Sequence, residues 1–119
     1  MDRTAYRINL EYRASVWTQM LALVTRFLAD ETGVVETARK LSAYQDVPDK
    51  DIGSQLDVFA GIDSATDDLP LGDARRHWSS EALAREDVKI AEAELRWHKA
   101  ATEAATALRL LLVWEETRR

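Results

Sequence analysis

The sequence predicts an all-α fold, a small helical bundle with a long C-terminal helix. Two observations lead to this prediction. Residues 79–117 contain neither glycine nor proline and are rich in Ala, Glu, Leu, Arg and Lys, which favour helix. Between Tyr6 and Phe27, apolar residues recur at intervals typical of one helical face. The chain has 119 residues, 46% of them hydrophobic, which is enough for one domain with a buried core, so we expect residues 1–119 to form a single helical domain.

The first helix is predicted over residues 4–28, with Gly33 as the residue that ends it. An alternative remains open, because apolar and polar residues alternate from Tyr6 to Tyr12 as they do in a half-exposed strand. Residues 56–62 show the same alternation. The alternative fold is therefore α+β, with a short two-stranded sheet formed by residues 6–12 and 56–62.

A shorter second helix is predicted within residues 34–44, where Val34, Ala38 and Leu41 share one face. After it we expect an irregular acidic segment at about residues 45–78. Pro48, which lacks a backbone donor, marks a connector at the beginning of this segment.

The long helix is predicted to begin at Ser79, whose hydroxyl suits an N-cap. It would be about 58 Å long, whereas a compact domain of this size is about 35 Å across. Either the helix breaks near its alanine-rich part, or it projects and packs on a second copy. Small side chains at 100, 101, 104 and 105 suit close contact, most simply with the first helix and alternatively in a homodimer through the C-terminal helix.

The net charge of −5 is concentrated in the middle of the chain, because residues 30–73 contain three basic and eleven acidic residues. Such a segment repels phosphates and attracts basic surfaces, so we expect a protein partner and no nucleic acid. The longest apolar stretches are too short to cross a bilayer, so no membrane partner is expected. The absence of cysteine and of an early apolar run favours a cytoplasmic location.

Patterns for common catalytic, metal and cofactor sites are absent or incomplete, so none is predicted. Residues 63–74 match a calcium loop poorly, since Ala65 and Ala74 supply no side-chain oxygen where ligands are needed. Two histidines are too few for a three-histidine zinc site. We expect His98 to pair with Glu94, four residues before it on the same helical face.

The stretch before the long helix is the strongest candidate for a ligand or partner site. In the structural interpretation, Arg75 and Arg76 bond to the protein's own carboxylates and loop carbonyls. In the functional interpretation, one arginine and His77 face outward and receive an anionic group or an acidic partner surface. The candidate residues are Asp67, Asp68, Asp73, Arg75, Arg76, His77 and Trp78.

The sequence therefore favours a non-enzymatic α-helical interaction module that acts through its acidic central segment. Accessory, antitoxin and immunity-type proteins are of this kind. A second hypothesis is a small ligand-binding or catalytic domain that uses Asp73, Arg75, Arg76 and His77 for an anionic ligand. A third is a structural homodimer scaffold.

Overall fold

The computed structural model describes residues 3–44, 47 and 49–117 and, among these, the side chains of all but residues 3–11 and 116. Its α-helices are α1 (Arg3–Leu28), α2 (Val34–Leu41), α3 (Lys50–Thr66) and α4 (Ser80–Thr117). Two short 3-10 helices, Ser42–Tyr44 and Gly72–His77, follow α2 and precede α4. The predicted fold class, a helical bundle with a long C-terminal helix, is confirmed.

The alternative with a two-stranded sheet is wrong. Residues 6–12 lie within α1 and residues 56–62 within α3, and the described part of the chain contains no strand. In α3, Leu56, Phe59 and Ile62 are buried at helical spacing, while Val58 between them is only half-buried. The alternation in the sequence arose because apolar residues also occupy the edges of the buried helical face.

Much of the segment predicted to be irregular, residues 45–78, is helical. Asp49 caps α3, because its Oδ1 accepts a hydrogen bond from the backbone amide of Ile52 at 3.0 Å. The irregular part that separates α3 from α4 is therefore short and includes the 3-10 helix Gly72–His77. Pro48, predicted to lie in a connector, is outside the described residues.

The first helix ends at Leu28, the last residue of the predicted span, but Gly33 does not terminate it. Asp30 adopts the left-handed conformation, with φ of 60°. The amide of Glu31 donates to the carbonyl of Arg26, and that of Asp30 donates to the carbonyl of Phe27, which is the Schellman arrangement. Gly33, predicted to end α1, instead precedes α2 as its N-cap.

The core lies where all four helices meet. The apolar faces of α1 and α2 and the inner face of α3 cover the C-terminal half of α4. The predicted second helix is confirmed at residues 34–41, with Val34, Ala38 and Leu41 buried. The largest fully buried apolar side chains include Phe59, Met20, Leu41, Ile52, Leu56, Ile62, Leu108, Leu112, Val24, Val34 and Val35.

The long helix α4 is unbroken over 38 residues. Its length of about 57 Å matches the longest dimension of the structure, 56 Å. The predicted cap is confirmed, since Ser79 Oγ accepts a hydrogen bond from the amide of Ala82 at 3.1 Å. Ala101, Ala104 and Ala105 are buried within the shared core, so these small residues serve a contact inside the protein. Residues 80–100 contain no fully buried side chain, so this half of α4 lies at the surface of the bundle.

Candidate functional site

The loop between α3 and α4 carries the residues that the sequence predicts as a site. It runs from Asp67, the C-cap of α3, to Ser79, the N-cap of α4. Leu69 and Pro70 are buried and hold its first half to the core, and Gly72 makes the turn with φ of +57°. Among the predicted residues, Arg75 is half-buried, and the others are exposed, namely Asp67, Asp68, Asp73, Arg76, His77 and Trp78.

Arg75 is held by the protein itself. Its Nη1 and Nη2 lie 2.8 and 3.1 Å from the two carboxylate oxygens of Asp87 on α4, and Nη1 also donates to the carbonyl of Pro70 at 3.3 Å. The hydrogen bond to Asp87 raises the pKa of the Arg75 guanidinium above its ordinary value, although burial opposes this effect. Arg75 therefore ties the loop to α4, as the structural interpretation predicts.

Arg76 and His77 are in a different situation from Arg75. Both are exposed, and neither has a hydrogen bond, ion pair or ring contact with any residue that the structure describes. The predicted internal pairing is thus found for Arg75 and not for Arg76. None of Asp73, Arg75, Arg76 and His77 lines either of the two cavities described below.

A different arginine, which the sequence did not mark, clamps the beginning of this loop. Arg39 on α2 donates to the carbonyl of Thr66 at 2.6 Å and to that of Leu69 at 2.9 Å. Its Nε lies 3.5 Å from Oδ1 of Asp63, a buried oxygen that accepts no hydrogen bond from the described residues. Arg39 therefore satisfies carbonyls at the C-terminal end of α3 and neutralises a half-buried carboxylate.

Glu94 on α4 caps the N-terminus of α2. Its Oε2 and Oε1 accept hydrogen bonds from the backbone amides of Val34 and Val35, at 2.6 and 3.2 Å. The carboxylate replaces the missing side-chain cap, because the N-cap residue Gly33 has no side chain to accept these bonds. A Cβ at Gly33 would lie 2.6 Å from Glu94 Oε1, so glycine is what allows the carboxylate to approach.

The predicted pairing of His98 with Glu94 is wrong. Glu94 is engaged with α2, and His98 lies beside Phe27, with ring centroids 6.3 Å apart at an interplanar angle of 54°. No group of three or more His, Cys, Asp or Glu among the described residues is arranged to hold a metal ion.

A cavity of about 320 Å³ lies between the end of α3 and the N-terminal half of α4. Trp97 forms one wall, and the charged side chains around it are Asp68, Glu92, Lys89 and Arg96. Two carboxylates and two cations leave this cavity without a preferred sign of charge, so it does not select a simple anion or cation.

A wider groove of about 500 Å³ separates α1 from α2 and is lined by Arg26, Arg39, Lys40 and Tyr44 among others. Each of these cations lies near one of the protein's own carboxylates. The ion pairs are Arg26–Glu31 at 3.5 Å, Arg39–Asp63 at 3.5 Å and Lys40–Glu36 at 3.7 Å. The groove is therefore basic in composition but largely compensated in charge.

The charge of the acidic segment, in contrast, remains largely uncompensated. Among its carboxylates, Asp63 is paired with Arg39 and Asp49 caps α3. Five others are exposed and make no ion pair with any described residue. These five, called the acidic set below, are Asp51, Asp57, Asp67, Asp68 and Asp73.

The outer face of α4 exposes large apolar side chains, with exposed fractions between 43% and 84%. Leu95, the most exposed of them, is turned about 180° around the helix from the buried Ala104. This group, called the apolar stripe below, consists of Val88, Leu95, Leu110, Val113 and Trp114.

Comparisons with known proteins add no identification, since no protein-family model, curated protein or solved structure matches the chain significantly. Among the described residues, no helix combines the length and the apolar character needed to cross a bilayer. The fold and surface described above are therefore what bear on function.

Proposed function

We propose that the protein is a non-enzymatic α-helical interaction module, and that its acidic set binds a basic surface of a protein partner. An accessory, antitoxin or immunity-type role belongs to this class. The observation that carries the proposal is the exposure of five aspartates that no described cation neutralises.

The contrast with carboxylates that stabilise the fold supports this proposal. Where a carboxylate serves the fold, it has a defined partner, as Asp63 has in Arg39 and Asp87 has in Arg75. The acidic set has no such partner in the described residues and adds mutual repulsion to the folded chain. Opposite charge on a partner relieves that repulsion and accelerates association.

The expected complex is sensitive to salt. Exposed charges are screened within about 8 Å at physiological ionic strength, so attraction between the acidic set and a basic surface weakens as salt increases. Arg75 takes no direct part in this proposal, because Asp87 and Pro70 already engage its guanidinium.

The test is affinity capture from native extract with the purified chain as bait, at low and at high salt. A bait with Asp57, Asp67 and Asp68 changed to Asn should lose a stoichiometric partner that the wild-type bait retains at low salt. The matched control changes Asp30 and Glu81 to Asn and Gln, since both are exposed and lie outside the acidic set. The control should capture the partner as the wild type does. Capture that is equal for all three baits, or absent for the wild type, would contradict the proposal.

One observation favours a second candidate function, the homodimer scaffold. Val88, Leu95 and Val113 of the apolar stripe lie on the side of α4 that faces away from the core, and none of the three belongs to the core cluster. Light scattering by the purified chain, which distinguishes a dimer from a monomer, tests this candidate.

A further inference from the structure

The cavity between α3 and α4 has the size of a site for a small molecule. Its volume of about 320 Å³ lies at the lower end of the range for such sites, which is about 300–1,000 Å³. The end of α3 and the loop after it form one wall, and the N-terminal half of α4 forms the other. Its apolar lining comes from Ala65, Leu69, Ala93 and Trp97.

Three of the four charged side chains at this cavity are available to a ligand. Lys89 Nζ donates a hydrogen bond to Glu86 Oε1 at 3.2 Å, so its charge is already compensated. Asp68 and Glu92 make no hydrogen bond or ion pair with any described residue. Arg96 makes none either, although Glu92 precedes it by four residues on α4, a spacing at which such residues often pair. The available charges are therefore two carboxylates and one guanidinium.

Trp97 holds the available guanidinium at the α4 wall. Cζ of Arg96 lies 5.4 Å from the centroid of the Trp97 ring, which is a cation–π contact. The guanidinium has five N–H donors, and none of them has an acceptor among the described residues. A planar set of donors suits a carboxylate, which can accept two parallel hydrogen bonds from it. This wall is therefore suited to a carboxylate group.

The opposite wall suits a positively charged group. Asp68 contributes an unpaired carboxylate two residues after the end of α3. The last residue of α3, Thr66, lies in the same wall, and the partial negative charge of a helix C-terminus also favours a cation. Glu92 adds a second carboxylate from α4. An ammonium group has three donors, which these carboxylates can accept.

Two arginine contacts already described hold the walls in place. Arg39 donates to the carbonyls of Thr66 and Leu69, and both of these residues line the cavity. Arg75 ties the rest of the loop to α4 through Asp87. Because the walls are ordered before a ligand arrives, binding loses less conformational freedom than it would at a mobile site.

We propose that this cavity binds a small zwitterion, namely a free α-amino acid with an apolar side chain. Its carboxylate binds Arg96, and its ammonium group binds Asp68 and Glu92. Its side chain packs on Trp97 and Leu69. A ligand with both charges satisfies both walls, whereas a simple anion or cation leaves one wall unsatisfied and meets a like charge there. The site goes beyond the proposed function, which concerns a protein partner.

Three probes of similar shape test the need for both charges. L-phenylalanine has both, 2-phenylethylamine lacks the carboxylate, and 3-phenylpropanoate lacks the ammonium group. Titration of the purified chain, followed by the NMR signal of the Trp97 indole N–H, gives each dissociation constant, and the signal is assigned with Trp97→Phe. L-phenylalanine should bind with a Kd of about 1 mM or tighter, as expected for a ligand of its size, and at least tenfold more tightly than either analogue. Absence of L-phenylalanine binding at about 10 mM, or equal affinity for either analogue, overturns the proposal.

Variants that remove one charge test which wall holds which group. Arg96→Gln should weaken L-phenylalanine binding at least tenfold without weakening the binding of 2-phenylethylamine. Asp68→Asn should weaken L-phenylalanine binding without weakening that of 3-phenylpropanoate. The matched controls, Arg109→Gln and Asp57→Asn, remove the same charges at exposed positions that do not line the cavity, and they should change no affinity. Retained binding of one analogue shows that each variant is folded. Equal effects of Arg96→Gln and Arg109→Gln overturn the proposal.

The outcomes for this site and for the proposed function are separate, because these titrations use the purified chain and small probes alone. A chain that captures a basic partner but binds no L-phenylalanine overturns only the ligand site. A chain that binds L-phenylalanine but captures no partner overturns only the proposed function.

Discussion

Glu94 on α4 caps the first turn of α2, with Oε2 of its carboxylate 2.6 Å from the backbone amide nitrogen of Val34. The two residues are 60 positions apart in the chain. This contact fixes the beginning of α2 against the middle of α4, where the latter has no fully buried side chain. It therefore joins the N-terminal half of the long helix to the rest of the bundle.

Replacing Glu94 by Gln should destabilise the protein by about 1–2 kcal/mol. The loss has two causes, since the negative charge no longer favours the helix N-terminus and the amide cannot accept both hydrogen bonds. Glu92→Gln is the control, because Glu92 is exposed two residues away and should change stability by less than about 0.5 kcal/mol. Urea unfolding of both variants measures the difference. Equal unfolding midpoints would show that the cap contributes nothing.

The effect of Gly33→Ala on stability should depend on the residue at position 94. The substitution should destabilise the protein that has Glu94 and stabilise the protein that has alanine there. In the wild type, the added Cβ would lie 2.6 Å from Glu94 Oε1, so the carboxylate must leave its capping position, at a cost of about 1 kcal/mol. In a Glu94→Ala background that steric conflict is absent. Residue 33 has an extended backbone in the folded protein, with φ of −82°, which alanine tolerates. Alanine also restricts the conformations of the unfolded chain. The substitution should then stabilise the protein by about 0.5 kcal/mol. A double-mutant cycle by urea unfolding measures this coupling, and additive effects would contradict it.

Arg39→Ala should be among the more damaging single changes at the surface of the protein. It removes hydrogen bonds to the carbonyls of Thr66 and Leu69 and leaves Asp63 with a buried oxygen and no nearby cation, at a cost of about 2–3 kcal/mol. Arg39→Lys should recover less than half of this loss, because an ammonium group lacks the planar set of donors. The neighbouring Lys40→Ala is the control and should cost less than about 1 kcal/mol. Similar unfolding energies for Arg39→Ala and Lys40→Ala would contradict the clamp.

The adjacent arginines Arg75 and Arg76 should respond differently to the same substitution. Arg75→Gln breaks the bidentate pair with Asp87 and should lower stability only slightly, since Asp87 is half-exposed and solvent screening limits the loss. Arg76→Gln removes no contact within the described residues and should change stability by less than about 0.5 kcal/mol. Hydrogen exchange in the loop should accelerate for Arg75→Gln alone, and equal acceleration in both variants would show that the pair does not hold the loop.

Features that depend on residues close together in the chain were predictable from the sequence, whereas features that depend on distant residues were not. The beginning of α4 was predictable because a cap acts within one turn, between Ser79 and Ala82. The inner face of α2 was predictable from spacing alone. The roles of Glu94 and Arg39 were not, because their partners lie 60 residues earlier and about 30 residues later in the chain. Local reasoning paired Glu94 with His98, the nearest candidate on its own helix.

The same limit applies to the candidate site. Adjacent in sequence, Arg75 and Arg76 cannot be distinguished by composition, and only the position of Asp87 on α4 determines that Arg75 is the one engaged. The alternation at residues 56–62 satisfies both a strand and the broad buried face of α3, and the packing of Phe59 and Ile62 decides for the helix. The acidic character of the middle segment, by contrast, is a property of composition and was evident from the start.

Binding of a basic partner by the acidic set is tested most directly by the affinity of the purified complex at two salt concentrations. Once the partner is captured, calorimetry at 50 and 300 mM salt gives the dissociation constant for the wild type and for the variant with Asp57, Asp67 and Asp68 changed to Asn. We predict that the variant binds at least tenfold more weakly at low salt and that its affinity depends less on salt than that of the wild type. Equal affinities and equal salt dependence for the two proteins would contradict the claim.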